Sequence, residues 1–141
     1  MEIHPQLLAD CHHLGRMGSG ELLLHRNASL PWFILVPDTG LADVLDLPEA
    51  QRAEVLADSA RVSGFLKEYL GCAKVNFAGL GNQVPQMHLH LVGRSPGDAC
   101  WPQPVWGNLP EGGAYSEEQL AQWLGELTAR CQLDTAVEPG E

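Results

Sequence analysis

Two histidines separated by a single residue, His88 and His90, lie in the stretch Gln86-Met87-His88-Leu89-His90-Leu91. Alternation of polar and apolar residues predicts a strand from Gln86 to Val92. Successive strand side chains point to opposite faces, ~3.3 Å apart along the chain. Gln86, His88 and His90 are therefore expected on one face, with Met87, Leu89 and Leu91 on the other, packed against a helix. Three hydrogen-bonding side chains in a row are costly to bury unpaired. A wetted sheet face would satisfy them without any function. Two imidazoles can also bind a metal. Alternatively, one neutral imidazole can attack phosphorus and carry a phosphorylated or nucleotidylated intermediate.

The surrounding elements must present that strand. His4-Pro5 followed by Leu7, Leu8, Cys11 and Leu14 has helical spacing, with Gly15 as the stop. Glu21 to His25 and Trp32 to Val36 read as strands, joined by a polar loop from Arg26 to Leu30 and ended by Pro37, Asp38 and Gly40. Asp46 with Glu49 has the spacing of a capping box for a long helix carrying Val55, Val62, Leu66 and Tyr69, and Gly71 follows. Lys74 to Phe77 reads as a further strand, joined to the histidine strand by Gly79-Leu80-Gly81-Asn82-Gln83. Ser95 to Ala114 is expected to be irregular. Ser116 with Gln119 caps a last helix with the stripe Leu120, Trp123, Leu124 and Leu127, and the acidic end from Asp134 is expected to fray. Strands in runs, with helices before, between and after, predict an α+β fold rather than a parallel βαβ series.

The bulk numbers restrict the partners. The chain has 141 residues, 45% of them hydrophobic, enough for one domain with its own core. Net charge is −10 with only eight Lys and Arg. That argues against a nucleic-acid polyanion as partner, because phosphate contacts dominate such affinity. A small anion held by backbone amides remains compatible. No run approaches the ~18 to 20 apolar residues of a membrane span, and no basic start precedes an apolar stretch, so a cytoplasmic protein with no membrane partner is expected. Cys11, Cys72, Cys100 and Cys131 form no CxxC pair and are expected as free thiols. Cys11-His12-His13 combines two zinc-binding residue types. Within the predicted helix its neighbouring side chains diverge, which argues against a metal there.

The stretch Asn76-Phe77-Ala78-Gly79-Leu80-Gly81-Asn82-Gln83-Val84-Pro85-Gln86-Met87-His88-Leu89-His90-Leu91-Val92 resembles the signature of the histidine triad (HIT) superfamily, His-φ-His-φ-His-φ-φ with φ apolar, preceded by an Asn and a Gly-Gln-like turn. The resemblance covers roughly residues 20 to 106. Trp101-Pro102-Gln103-Pro104-Val105-Trp106-Gly107, together with His4-Pro5-Gln6-Leu7, resembles a bacterial subgroup of small HIT proteins. The resemblance implies a HIT-like domain over 1–141, with a mostly antiparallel sheet of about five strands, a long central helix and a C-terminal helical arm over about 107–132. It also implies a two-fold homodimer.

For the site, the resemblance implies that His88, at the middle triad position, is the nucleophile and that His90 contacts the phosphate. The first triad position is Gln86, a departure from the family. An amide can supply hydrogen bonds but cannot take a charge or relay a proton, so the departure bears on turnover rate more than on binding. Carried over by position, Asn76 stands near the phosphates and Gln83 where many members have a phosphate-contacting Ser or Thr. Asn27 stands near the family's acidic ribose-binding position, without the acid. The implied reaction is attack of His88 on the α-phosphorus of a nucleotide phosphoramidate, phosphoester or anhydride. His90, Gln83 and amides near Gly81 would stabilise the oxygens, and a carbonyl on the neighbouring strand would orient His88. No metal or other cofactor is called for. The alternatives are a nucleotide-binding protein without catalysis, a metal-binding module on His88 and His90, and an interaction domain using the prolines and tryptophans of 101–106.

Overall fold

A computed structural model describes residues 1–135. Five strands form one antiparallel sheet: β1 (Cys11–Arg16), β2 (Gly20–His25), β3 (Trp32–Pro37), β4 (Lys74–Gly79) and β5 (Leu89–Arg94), in the order β1-β2-β3-β5-β4. Three α-helices accompany them: α1 (Pro5–Asp10), α2 (Glu49–Gly64), which continues as a π turn over Phe65–Tyr69, and α3 (Glu117–Cys131). The architecture is α+β. Among the described residues no helix is long and apolar enough to cross a membrane.

Period-two alternation divides the side chains between two covered faces. Leu22, Leu24, Phe33, Leu35, Leu89 and Leu91 pack on the face occupied by α2 and α3, together with Val55, Val62, Phe65, Trp123 and Leu127. Met87 joins this cluster, as its parity with Leu89 and Leu91 predicts. The opposite face carries Leu23, Trp32, Ile34, Val36 and Val92 beneath α1 and the irregular segment after β5, which contribute Leu7 and Val105. Asp58 of α2, 2% exposed, ties that helix to the β1–β2 turn by accepting from Ser19 N (2.8 Å) and Ser19 Oγ (2.6 Å).

Four local expectations are corrected. The first helix ends at Asp10 rather than before Gly15, and Cys11 is already extended (φ −134, ψ 154). Residues 11–16 form edge strand β1, whose pairing with β2 outweighs their helical spacing. The sheet breaks register between His13 and Gly15, and a side chain at Gly15 would meet the Asp134 carbonyl 2.5 Å away. Asp46 does not cap α2. It lies in a 3₁₀ turn over Val44–Asp46, and the helix begins after an extended Pro48, because Leu47 before a proline is held out of the helical region (ψ 149). Strand β5 begins at Leu89, so Gln86 and His88 precede it. Asp134 is held rather than frayed: its backbone pairs with Arg16 in both directions (2.8 and 2.9 Å). Residues 136–141 of the acidic end lie outside the described residues. Ser116 caps α3 as expected, accepting from Gln119 N at 3.1 Å.

Candidate active site

Register brings the polar and aromatic residues of the second face together. Cys11 pairs with His25, and Ile34 pairs with His90. With Trp32 they line a cavity of about 350 Å³. Its other walls are α1 (Gln6, Leu7, Asp10), the β4–β5 connection (Leu80 to Val84), His88, and Trp106 from the segment after β5. Gly81 in the connection holds a left-handed conformation (φ 69) that favours glycine. No Lys or Arg among the described residues lines the cavity, and Asp10 is its only carboxylate.

Hydrogen bonds fix opposite tautomers on the two histidines. His88 Nδ1 lies 2.7 Å from the Gln86 carbonyl oxygen. A carbonyl only accepts, so Nδ1 of His88 is a protonated nitrogen, and in the neutral ring Nε2 keeps the lone pair. Trp32 Nε1, which only donates, lies 3.0 Å from His90 Nδ1. His90 therefore carries its proton on Nε2. The rings stand edge to face, with centroids 5.0 Å apart. One imidazole can thus offer a lone pair to an electrophile or a proton, and its neighbour can donate a hydrogen bond while neutral. The carbonyl that orients His88 belongs to its own segment two residues back, not to the neighbouring strand, because the chain bends at Gln86 before β5 begins.

Electrostatics reinforce this assignment. Burial pushes the His90 imidazole down to about 4, helped by His88 and His25 nearby. A second proton on His90 would also turn Nδ1–H against the Trp32 N–H. Burial lowers His25 as well, against the opposing pull of Asp10. His25 is stacked on Trp32 (centroids 4.2 Å, planes 9° apart), and its Nδ1 accepts from Asn27 N at 3.1 Å. Trp106 meets the His90 ring edge to face at 5.1 Å. Cys11 is buried, and that burial raises its thiol to about 12, so it acts as an apolar wall.

Of the residues expected from the sequence, the structure brings His88, His90, Gln83 and Gly81 to one cavity. Gln86, Asn76 and Asn27 lie elsewhere. Gln86 does not share a strand face with the histidines: its Nε2 donates to Glu2 O (2.9 Å) and its Oε1 accepts from His4 N (2.7 Å). Asn76 Oδ1 accepts from Arg94 NH1 at 3.1 Å. Asn27 closes its own turn, accepting from Ser29 N (3.0 Å) and donating to Pro110 O (2.9 Å). The Cys11-His12-His13 run is strand rather than helix, and no group of three or more His, Cys, Asp or Glu among the described residues could hold a metal ion. Sequence reasoning missed His25, Trp32, Trp106 and the α1 wall. The parity of His25 in the Glu21–His25 strand is a signal for the first; Trp106 and the start of α1 lie in the two stretches that carry the subgroup resemblance, and nothing local marks Trp32.

The HIT domain family matches residues 9–97. No curated protein matches the chain. Among solved structures, a histidine triad protein from Marinobacter aquaeolei is 40% identical, with 94% of this chain and 98% of that one covered and a TM-score of 0.85. One from Bradyrhizobium japonicum is 35% identical (92% and 96% covered, TM-score 0.84). A third, from Sinorhizobium meliloti, is 29% identical (91% and 95% covered, TM-score 0.84).

Proposed function

Because the chain belongs to the HIT domain family, we propose that it binds a nucleotide derivative and cleaves it through a nucleotidyl-His88 intermediate. The observation that carries this reading is the pair of opposed hydrogen bonds, His88 Nδ1 on the Gln86 carbonyl and Trp32 Nε1 on His90 Nδ1, which assign opposite tautomers to the two neutral rings. His88 Nε2 attacks the α-phosphorus. A P–N bond forms as the bond to the leaving group breaks, and solvent supplies the leaving group's proton. The modified ring is cationic, and the Gln86 carbonyl accepting from Nδ1 stabilises it. His90, Gln83 and amides near Gly81 bind the non-bridging oxygens. Water then hydrolyses the P–N bond, releasing a nucleoside monophosphate and neutral His88.

A second cavity, about 400 Å³, meets the first at His88, Leu80 and Gly81 and is bounded by Asp43 and Asp46. It suits the leaving group, and its carboxylates disfavour an anionic one. Bacterial relatives support placing the chain among small bacterial HIT proteins, here with Gln86 at the first triad position. Strand β4 is a sheet edge with Phe77 44% exposed, which supports a homodimer through that edge. Light scattering of the purified protein tests the dimer.

The test of activity is incubation with adenosine 5′-phosphoramidate. Wild type should release AMP and, when quenched, yield a nucleotidylated His88 peptide. His88→Ala should do neither. Equal inactivity of both across a broad nucleotide panel refutes catalysis. Because Gln86 is spent on Glu2 and His4, a second reading is nucleotide binding without turnover, selected by measurable affinity together with that inactivity.

A further inference from the structure

The first triad position is occupied by a side chain that faces the N-terminal segment. We infer that Gln86 is a positioning residue: it docks residues 2–10 as a wall of the cavity and so sets ligand affinity rather than the rate of chemistry. The ligand itself rests on the reading above; the docking does not.

A primary amide presents an N–H donor and a carbonyl acceptor side by side along one edge. Gln86 uses both on main chain, giving Nε2–H to Glu2 O (2.9 Å) and taking His4 N–H on Oε1 (2.7 Å). These partners are 84 and 82 residues away in sequence, so the bonds close a long loop. They hold the chain immediately before α1. His4 then caps α1, its Nδ1 accepting from Gln6 N at 3.0 Å. The other end of α1 is held by Arg26, whose Nε donates to Ala9 O (3.2 Å) and whose backbone N donates to Asp10 O (3.0 Å). Between these anchors α1 presents Gln6, Leu7 and Asp10 to the cavity. Gln6 Nε2 donates to both Asp10 oxygens (3.2 and 3.1 Å), which aims the one carboxylate that lines the cavity among the described residues. A six-residue helix is too short to hold itself. Without the Gln86 anchor its position depends on the packing of Ile3 and Leu7 and on Arg26.

The same residue keeps its backbone on the chemistry. The Gln86 carbonyl orients His88 whatever the side chain is. Substitution at this position therefore separates the two roles. Gln86→Met keeps length and volume but makes neither bond; Gln86→Ala removes both bonds and bulk. Hydrogen exchange on the free protein should show the His4 amide exchanging about tenfold faster or more in both variants, with residues 6–10 following. Kd for AMP, and KM for the phosphoramidate, should rise about fivefold or more while kcat stays within about twofold. The inference is overturned if His4 exchange is unchanged, if exchange rises but Kd and KM do not, or if kcat falls with KM unchanged. If wild type binds no nucleotide, the functional reading fails, and the exchange result alone decides whether Gln86 docks the wall.

Discussion

Trp32 Nε1 donates to His90 Nδ1 at 3.0 Å, and through that bond a core tryptophan of β3 determines which nitrogen of His90 carries its proton. Trp32 is 8% exposed and His90 6%, so neither group can exchange the bond freely for water. Trp32→Phe keeps an aromatic ring against His25 and removes the donor. It should leave a buried acceptor unsatisfied and cost about 1–3 kcal/mol of stability. The His90 tautomer would become mixed, readable by nitrogen NMR of the ring, and kcat should fall. A ring spectrum unchanged from wild type would show that Trp32 does not set the tautomer.

His90 also predicts how stability depends on pH. Its folded value, about 4, lies below the ordinary 6.5. The unfolded chain therefore binds the proton first, and stability rises with pH through that interval. The contribution is complete above about pH 6.5 and lost as pH falls towards 4. At 1.36 kcal/mol per pKa unit it amounts to about 3 kcal/mol at most. Denaturant melts across pH 4 to 7 should show this slope, and His90→Asn should reduce it, leaving the part that the lowered His25 and His12 imidazoles contribute. A slope that the substitution leaves unchanged would assign the effect to those other groups.

The absence of Lys and Arg from the cavity walls among the described residues points to a charge preference. Imidazole, amide and backbone donors can hold one negative charge, but nothing there neutralises several. The Asp43 and Asp46 carboxylates beside the second cavity add repulsion. A nucleoside phosphoramidate should be cleaved about tenfold or more faster, by kcat/KM, than the corresponding triphosphate. Gln83→Lys should narrow that gap. Equal rates on both substrates would contradict this account of the leaving-group side.

Asn76 is engaged by a guanidinium that is itself only 1% exposed. Arg94 also donates to both Asp98 oxygens (2.8 and 3.1 Å), and that pairing holds the Asp98 carboxyl down at about 2. The trio fastens the start of the segment that later supplies Trp106. Asn76→Ala should therefore cost about 1–3 kcal/mol, the usual range for stranding a buried partner, while a single-turnover rate at saturating substrate stays near wild type. A large loss of rate without loss of stability would instead place Asn76 at the phosphates.

What the sequence made legible was what is local and periodic. The strands of Leu22–Leu24 and Trp32–Val36, the stripe of α3 and the Ser116 cap all depend on neighbours within a few residues. The His88–His90 pair was legible for the same reason. Strand β1 was not, because Cys11 to Leu14 satisfy helical spacing and only pairing with His25 to Leu23 makes them extended. The cavity walls were hidden for a related reason. Trp106, His25 and Leu7 meet only once the sheet has its register and two separate segments have covered one face.

Gln86 is where local reading and tertiary structure differ most, and Gln86→His makes the difference measurable. Read along the chain, that change restores a histidine at every triad position and should raise turnover. In the fold, the position answers to Glu2 O and His4 N, which need a donor and an acceptor pointing the same way. The two nitrogens of an imidazole diverge, so histidine can keep at most one of those bonds. The expected outcome is a faster His4 amide exchange and a KM raised about fivefold or more, with kcat changed by less than about twofold. A tenfold gain in kcat at unchanged KM would mean that a proton relay, and not the N-terminal wall, is what this position limits.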